Sequence, residues 1–437
     1  MGTGAAGDRL GPGGGAVFIV VLGLLLAMSA AVVAAVRFEW FLIGLLAVRP
    51  VLDLAKHGGS SLLDPSTAVG VVFILVSCRW LYRRWHAGEL LRPSPGTLAL
   101  LVMAAVFAAS VAGSEQLVVS ASATLRVVAG ALMFAVLEQL LPGRPQLARR
   151  VLAAALASAI VPLTLGVYQA LTVSEASAFT DVSRVQGTFV HPNPFATYLA
   201  IILLAAIAVW PALEGRLRLA AGGLVMVSGA VLILTYTRSS WLGALVGLGY
   251  LVTRRRRGML IPLVVLVAAV VLAVPSVSVR IMDLSKAPPV AGVPANSLSW
   301  RVGYWKRLLP LADRDPLTGV GLETVQLISQ EKLQPHNVFV QTYVETGAFG
   351  LAALCTAILA MAATLRRRRQ RSAVGFESSL AHAAIANGLC LLVTLPSDNL
   401  LTQTIVYWYF AAACAFGYSA HRPLPMARGQ SARVLSS

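Results

Sequence analysis

Charged residues and cysteine are scarce in this chain. Only 12% of its 437 residues are Asp, Glu, Lys or Arg, whereas 57% are hydrophobic, and the mean hydropathy is +0.76. This balance excludes a disordered or collagen-like chain and contradicts a soluble multidomain protein. The cysteines lie in or at the end of apolar stretches, at spacings that suit neither a disulfide framework nor a zinc site: Cys78, Cys355, Cys390 and Cys414.

Several functional motifs are absent as well. There is no Walker phosphate loop, dinucleotide fingerprint or HExxH zinc motif, so ATP-driven pumping and zinc proteolysis lose most of their support. Asp313 and Asp315 form a DRD triplet of the kind that holds a metal and nucleotide sugar in some glycosyltransferases. No nucleotide cradle accompanies this triplet. We therefore expect neither a bound metal nor a cofactor.

Long apolar runs, in contrast, fill most of the chain. A bilayer core of roughly 30 Å needs about 20 apolar residues per helix, and runs of this kind recur thirteen times, the first two separated only by Arg37. We predict an all-α integral membrane protein with 12–13 transmembrane helices in a single polytopic domain, residues 1–437. The predicted segments are Ala16–Val36, Phe38–Leu54, Ala68–Tyr82, Thr97–Gly113, Leu117–Leu141, Val151–Thr172, Asn193–Leu213, Leu217–Tyr236, Ser239–Val252, Met259–Pro275, Asn337–Leu365, Leu380–Leu395 and Thr404–Tyr418.

The basic residues predict the orientation of these helices. The net charge is +17, but arginines cluster in alternate connections rather than on a face that would bind nucleic acid, so we expect no nucleic-acid partner. By the positive-inside rule the arginine-rich connections and the tail, residues 421–437, face the cytoplasm. The long connection of residues 276–336 then faces outward. Within it, Leu298–Leu311 has Trp300, Tyr304 and Leu308 at helical spacing, which predicts a short helix at the outer interface.

Three outward-side arginines are candidate ligands for an anion: Arg184, Arg238 and Arg301. A guanidinium at membrane depth is costly unless it is paired, snorkels or meets an anionic ligand. Its planar donors match phosphate oxygens, and several arginines together suit a diphosphate. The alternative is that each arginine merely snorkels to the headgroups.

Two histidines lie at outward helix mouths. His336 precedes the helix after the long loop, where its imidazole would reach a substrate and accept a proton at neutral pH. The alternative is a solvated loop residue beside Asn337, which would cap the helix. His191 is a rival, but the proline that follows it starts a helix, which favours a structural role.

Two acids on the same side have possible supporting roles. Asp398 is the only acid in its outward connection, and Glu345 lies nine residues into the helix after His336. An intramembrane acid needs a partner, so Glu345 would orient a basic residue or, alternatively, join helices through hydrogen bonds.

Four segments together resemble the O-antigen ligase and O-antigen polymerase superfamily of bacterial membrane glycosyltransferases. They are RVQGTFVHPN from Arg184, TRSSWLG from Thr237, SWRVGYW with the later PLTGVGLE, and HNVFVQTYVETGAFG from His336. The resemblance implies a C-type glycosyltransferase fold in the bacterial cytoplasmic (inner) membrane, with an outward-facing active site. It assigns the catalytic role to His336 and substrate binding to Arg238, Arg301 and Arg184, with possible support from Asn193, Asn337, Glu345 and Asp398.

The implied reaction transfers a glycan from a polyprenyl-diphosphate carrier to a hydroxyl of a lipid or glycan acceptor, with inversion and without metal. The single large outward loop favours a ligase over a polymerase. A membrane transporter or flippase remains the alternative of another class. Transporters usually show repeated halves and ionisable groups near mid-membrane, whereas these charges cluster at one face. Convergence of Arg238, Arg301 and His336 on one outward cavity would favour the transferase.

Overall fold

The computed structural model describes residue 33 and residues 36–55, 65–89, 91–172, 184–255, 257–282, 296–369, 375–400 and 403–419. Regular structure in these residues is helical throughout, and the α-helices are numbered here in chain order. They are α1 Phe38–Val48, α2 Pro65–His86, α3 Pro95–Ser110, α4 Leu117–Leu140, α5 Pro145–Ala157, α6 Ile160–Thr172, α7 Pro192–Val209, α8 Gly215–Leu234, α9 Arg238–Arg255, α10 Leu260–Ala273, α11 Pro275–Met282, α12 Ser297–Leu308, α13 Val325–Ile328, α14 Val338–Arg369, α15 Phe376–Thr394 and α16 Thr404–Ser419.

The predicted all-α membrane fold is confirmed. Each apolar segment predicted from Phe38 onward coincides with helical structure, whereas most of Ala16–Val36 and the tail, residues 421–437, lie outside the described residues. The total of 12–13 spans stays a prediction, because two further apolar helices are shorter, Arg257–Ala273 and Thr404–Ala413. Seven described helices are long and apolar enough to cross a membrane: Pro95–Gly113, Leu117–Leu140, Pro145–Thr172, Pro192–Ala212, Gly215–Leu234, Val338–Arg367 and Phe376–Ser397.

Helix α7 is the centre of the bundle. Nearly all of its residues are buried, and it packs against α8, α9, α15 and α16. A helix that is apolar on every side is stable only when neighbours or lipid surround it completely. The first turn of α7 therefore has a fixed position, and the chain segment before it, from Arg184, is held against the same bundle by a backbone hydrogen bond from Val185 to the carbonyl of Leu234.

The long helix α14 is interrupted at Gly347, and the outward loop fills the interruption. Gly347 has φ 66° and ψ −167°. The N–H groups of Val320 and Gly321 donate to the carbonyls of Val344 and Glu345 at 3.2 and 2.8 Å, and the N–H of Ala348 donates to the carbonyl of residue 316 at 2.9 Å. A broken helix within a membrane needs such replacement hydrogen bonds. The PLTGVG and ETGAFG segments are thus one structural unit.

The short helix predicted in the loop is confirmed as α12, but it packs on protein. Asn296 and Ser299 form a capping box at its start. Tyr304 and Leu308 are buried together with Val325 of the loop and Val344 of α14. This small apolar cluster fixes α12 over the first turns of α14, which sets the position of Arg301.

Candidate functional site

Arg184 is held in place by three hydrogen bonds that join separate segments. Its Nε donates to the carbonyl of Thr235 at 2.9 Å, and its Nη2 donates to Asn193 Oδ1 at 2.8 Å and to Thr237 Oγ1 at 2.9 Å. The side chain therefore ties the start of α7 to the turn between α8 and α9. This arrangement gives Arg184 a structural function and gives Asn193 the role of its acceptor.

His191 caps α7, and this contact determines its tautomer. The backbone N–H of Asn193 donates to His191 Nδ1 at 3.1 Å. Because Nδ1 accepts this hydrogen bond, the proton of the neutral ring resides on Nε2. The structural role predicted for His191 is present. The ring centroid also lies 6.2 Å from that of His336, so His191 belongs to the same site.

His336 has an unusual backbone conformation directly before α14. Its φ is +51°, a region that non-glycine residues rarely adopt. Asn337 follows and caps the helix, since its Oδ1 accepts the N–H groups of Phe339 and Val340 at 2.9 and 3.2 Å. The Nδ1 of His336 is buried without a hydrogen-bond partner among the described residues. The capping alternative for Asn337 is thus observed.

Arg301 and Asp398 bring the loop helix and the turn between α15 and α16 to the same place. Arg301 Nη1 donates to the carbonyl of Ser397 at 3.2 Å. The next residue, Asp398, is buried with 3% of its surface exposed. Its Oδ1 accepts the backbone N–H of Asn399 at 2.9 Å, and its Oδ2 has no partner in the described part of the chain. Arg301 is therefore held at its guanidinium, and Asp398 is held through one carboxylate oxygen.

The charges of these residues act on one another. Burial, the positive charge of Arg301, the neighbouring His191 and the charge of Arg184 together lower the pKa of His336 to about 3, and burial is the largest cause. Burial, Arg184 and Arg301 likewise lower the pKa of His191 to about 4. Burial raises the pKa of Asp398 to about 6, although the same two arginines favour its charged form. These five residues form one electrostatic unit, the histidine–arginine cluster: Arg184, His191, Arg301, His336 and Asp398.

Charge balance in the histidine–arginine cluster favours an anion. Both imidazoles are neutral at pH 7, since their pKa values lie far below it. The guanidinium groups of Arg184 and Arg301 then face the carboxylate of Asp398, which burial leaves partly protonated. Fixed positive charge in a partly buried place attracts phosphate strongly, and a bound phosphate would in turn favour protonation of a nearby imidazole.

Arg238 lies beside this cluster. It begins α9, and its Nη2 donates to Ser297 Oγ at 2.7 Å. Ser297 starts α12, one turn before Arg301. Arg238 is not among the charges that shift the histidine pKa values. The structure thus brings Arg184, Arg301 and His336 together and places Arg238 at the neighbouring end of the loop helix.

Glu345 has a different environment from the cluster. Its carboxylate accepts Gln341 Nε2 at 3.0 Å and the backbone N–H of Val325 at 3.3 Å. Close by, Glu323 of the loop is 2.5 Å from Arg126 of α4. Of the two roles that the sequence left open, these contacts match the hydrogen-bonding one. Glu345 holds the loop onto α14. Arg126 is the basic partner of Glu323, and sequence reasoning missed it.

An apolar cavity of about 390 Å³ opens between α3, α14, α15 and α16. Leu395 and Leu400 line it close to Asp398, and Arg366 lines it at the end of α14 that carries the arginine run. Its remaining lining is almost entirely aliphatic and aromatic. A space with these walls would accept a hydrocarbon chain.

Comparison with known proteins finds a family similarity over part of the chain. No curated protein matches the chain. The family model described as O-antigen ligase matches residues 221–355. The matched segment contains Arg238, Arg301 and His336, whereas Arg184 and Asp398 lie outside it. The match supports a glycosyltransferase-like function of the O-antigen ligase or polymerase type. On this evidence the chain is a multi-pass all-α membrane protein in which residues 221–355 are similar to the O-antigen ligase family.

Proposed function

We propose that the protein transfers a glycan from a polyprenyl-diphosphate carrier to an acceptor hydroxyl at the outer face of the bacterial cytoplasmic membrane. The observation that carries the proposal is the histidine–arginine cluster, in which a neutral His336 lies within electrostatic range of Arg301 and Arg184. A base beside fixed positive charge suits the transfer of a glycan from a diphosphate to a hydroxyl. The site would deprotonate the acceptor and stabilise the leaving group in one place.

In the proposed step, the acceptor hydroxyl attacks C1 of the donor sugar while His336 takes its proton. A bond forms between the acceptor oxygen and C1 as the bond from C1 to the phosphate oxygen breaks. The electron pair leaves with polyprenyl diphosphate, whose growing negative charge the arginines stabilise. Direct displacement from the opposite face inverts the anomeric centre. General-base assistance would contribute about 10²- to 10⁴-fold.

The low pKa of His336 fits this sequence of events. In the free protein, burial and the two arginines keep the imidazole neutral. When the donor binds, its diphosphate offsets the arginine charges and raises the pKa of His336 again. The imidazole therefore becomes a stronger base only when substrate is present, which limits reaction of the empty site.

His191 and Arg238 would bind the donor rather than move the proton. The Nε2–H of His191 is a hydrogen-bond donor, because Nδ1 is occupied by the α7 cap. Arg238, which begins α9 and donates to Ser297 at the start of α12, would contact the diphosphate or the first sugar. The carrier's hydrocarbon chain would occupy the apolar cavity near Leu400.

A ligase is favoured over a polymerase, because the chain has a single long outward connection, residues 276–336. The distinction rests on the acceptor, which is either a lipid or wall component or a growing chain of the same repeat unit. Analysis of product size separates the two. One transferred glycan per acceptor indicates a ligase, and a ladder of repeats indicates a polymerase.

The test uses the purified full chain in nanodiscs with extracted polyprenyl-diphosphate-linked glycans and candidate acceptors, in EDTA. Release of polyprenyl diphosphate is compared between wild type, His336→Ala and His86→Ala, the last a control at the exposed end of α2. We expect release by wild type and His86→Ala and its loss in His336→Ala. Equal release by all three would remove His336 as the base. No release with any donor would favour transport, which flux assays would then test.

A further inference from the structure

Two basic clefts lie at the opposite end of the bundle from the histidine–arginine cluster, and the proposed reaction does not involve them. Cleft A has a volume of about 430 Å³ and is lined by Arg37, Glu39, Trp40, Arg144 and Arg150 among others. Cleft B has a volume of about 390 Å³ and is lined by Glu39, Arg79, Trp80, Arg83, Arg84 and Glu89 among others. The two clefts adjoin, because Glu39 lines both.

The arginines of these clefts are brought together by tertiary structure. Arg37 precedes α1, Arg79 and Arg83 are on the last turns of α2, and Arg144 and Arg150 flank the start of α5. A topology signal needs only arginines that follow one another in a connection, as in residues 254–257. Convergence of three separate segments on concave surfaces is an additional property, and it suggests a ligand.

The charge in the clefts exceeds what their acids balance. Six arginines face two acids, Glu39 and Glu89. Glu39 is 2.9 Å from Arg144, and Glu89 is paired with Arg84. Arg79 and Arg83 are one helical turn apart on α2, a spacing at which like charges repel. The Nε of Arg84 is buried without a hydrogen-bond partner among the described residues. A bound anion would reduce the repulsion between Arg79 and Arg83, and it would accept a hydrogen bond from the Nε of Arg84.

The surroundings of the clefts identify the kind of anion. Arg84 stacks over Trp80 at 4.7 Å and Arg150 over Trp40 at 5.7 Å, and tryptophan is the residue that favours the boundary between lipid and water. On the membrane side of cleft B, Leu75 of α2 is 65% exposed. Polar groups above an apolar surface match a phospholipid, whose phosphates bind the arginines and whose chains cover the leucine.

We propose that clefts A and B together bind one anionic phospholipid that carries two phosphates, with one phosphate in each cleft. By the arginine distribution this end of the bundle faces the cytoplasm, so the lipid belongs to the cytoplasmic leaflet. The lipid joins α1, α2 and α5, which also meet at this end through the Glu39–Arg144 ion pair, the stacking of Phe38 on Trp80 and the contact of Arg150 with Trp40. The proposal does not depend on the transfer reaction.

The test measures lipid binding to the delipidated full chain in detergent by native mass spectrometry. The probes are cardiolipin, with two phosphates, and phosphatidylglycerol, with one. Three paired variants are compared: Arg144→Gln with Arg150→Gln for cleft A, Arg79→Gln with Arg83→Gln for cleft B, and Arg254→Gln with Arg257→Gln as a control of equal charge. Size-exclusion elution and circular dichroism establish that each variant is folded.

Wild type should bind cardiolipin at least roughly tenfold more tightly than phosphatidylglycerol. Each cleft variant should lose roughly tenfold or more in cardiolipin affinity. The reason is that it removes two arginines, and each arginine near an anionic headgroup contributes several-fold, on the order of fivefold, to lipid affinity. The control should stay within about twofold of wild type. Lysine at the same four cleft positions should retain most of the binding, because it preserves the charge.

Three results would overturn the proposal. Equal affinity for the two lipids would refute the two-phosphate ligand. Equal loss in the control variant would show that binding follows total charge and not the clefts. Loss with lysine as large as with glutamine would show that these substitutions act by disturbing the helices.

Discussion

The low pKa of His336 makes a specific prediction about the pH dependence of transfer. An ordinary histidine with a pKa of 6.5 would be only about 3% neutral at pH 5, so kcat/KM would fall about 30-fold between pH 7.5 and pH 5. With a pKa of about 3, the imidazole is about 99% neutral at pH 5. We therefore expect that protonation of His336 causes no fall in kcat/KM near pH 6.5, that is, no acid limb of the pH profile there.

Asp398 must be separated from His336 in this experiment. Its pKa of about 6 means that it gains a proton as the pH falls through the same range, and a neutral Asp398 would leave the site more positive. Release of polyprenyl diphosphate is measured from pH 5 to pH 8 for wild type and Asp398→Asn. Any limb near pH 6 in wild type should be absent from Asp398→Asn, whose kcat/KM should be flat.

A limb near pH 6.5 that persists in Asp398→Asn would refute the reasoning, because His336 would then have an ordinary pKa despite its burial and the arginines. The saturated rate provides a second check. A diphosphate charge about 5 Å away contributes about 3 kcal/mol at an effective dielectric constant of 20, or about 2 pH units. The acid limb of kcat should therefore lie at higher pH than that of kcat/KM.

Three further predictions follow from the contacts of individual residues. Arg184→Lys should lower stability by about 1.5–3 kcal/mol for each charged hydrogen bond lost, seen as a lower Tm in nanodiscs; an unchanged Tm would contradict its structural role. Arg301→Gln should lower kcat by about 10²- to 10³-fold if it stabilises the leaving diphosphate, whereas a change in KM alone would assign it to binding. Gly347→Ala should abolish loop docking, because a Cβ there would lie 2.2 Å from the carbonyl carbon of Leu317; faster proteolysis of residues 309–335 would show it. Gly223→Ala, in open space on α8, is the matched control and should not change the cleavage rate.

The sequence by itself determined the membrane class, the helix positions and the segments that contain the candidate site. The reason is that transfer of apolar residues into lipid depends on local composition, and each described span could be read from its own run of about 20 residues. His336, Arg301 and Asp398 were found in the same way, since a charged or titratable residue at a helix mouth stands out from apolar neighbours.

Sequence patterns could not decide which of these residues meet. Arg184 reaches Thr235 and Thr237, about 50 positions away along the chain, and Arg301 reaches Ser397 across 96 positions. Such contacts depend on how helices pack, and a local pattern carries no information about packing partners. For the same reason His191 was assigned to α7 alone, although its ring lies next to His336.

The interruption of α14 is a second case in which the sequence shows the residues and only the tertiary structure shows their contacts. The glycines of TGVG and ETGAFG are visible in the sequence, but only the tertiary structure shows that one segment supplies hydrogen bonds to the other. It also gathers arginines from α1, α2 and α5 into two clefts, where the sequence indicates only orientation. Hydrophobicity fixes each helix in the membrane independently, whereas the sites arise from hydrogen bonds and charges between helices, which exist only after the helices have packed.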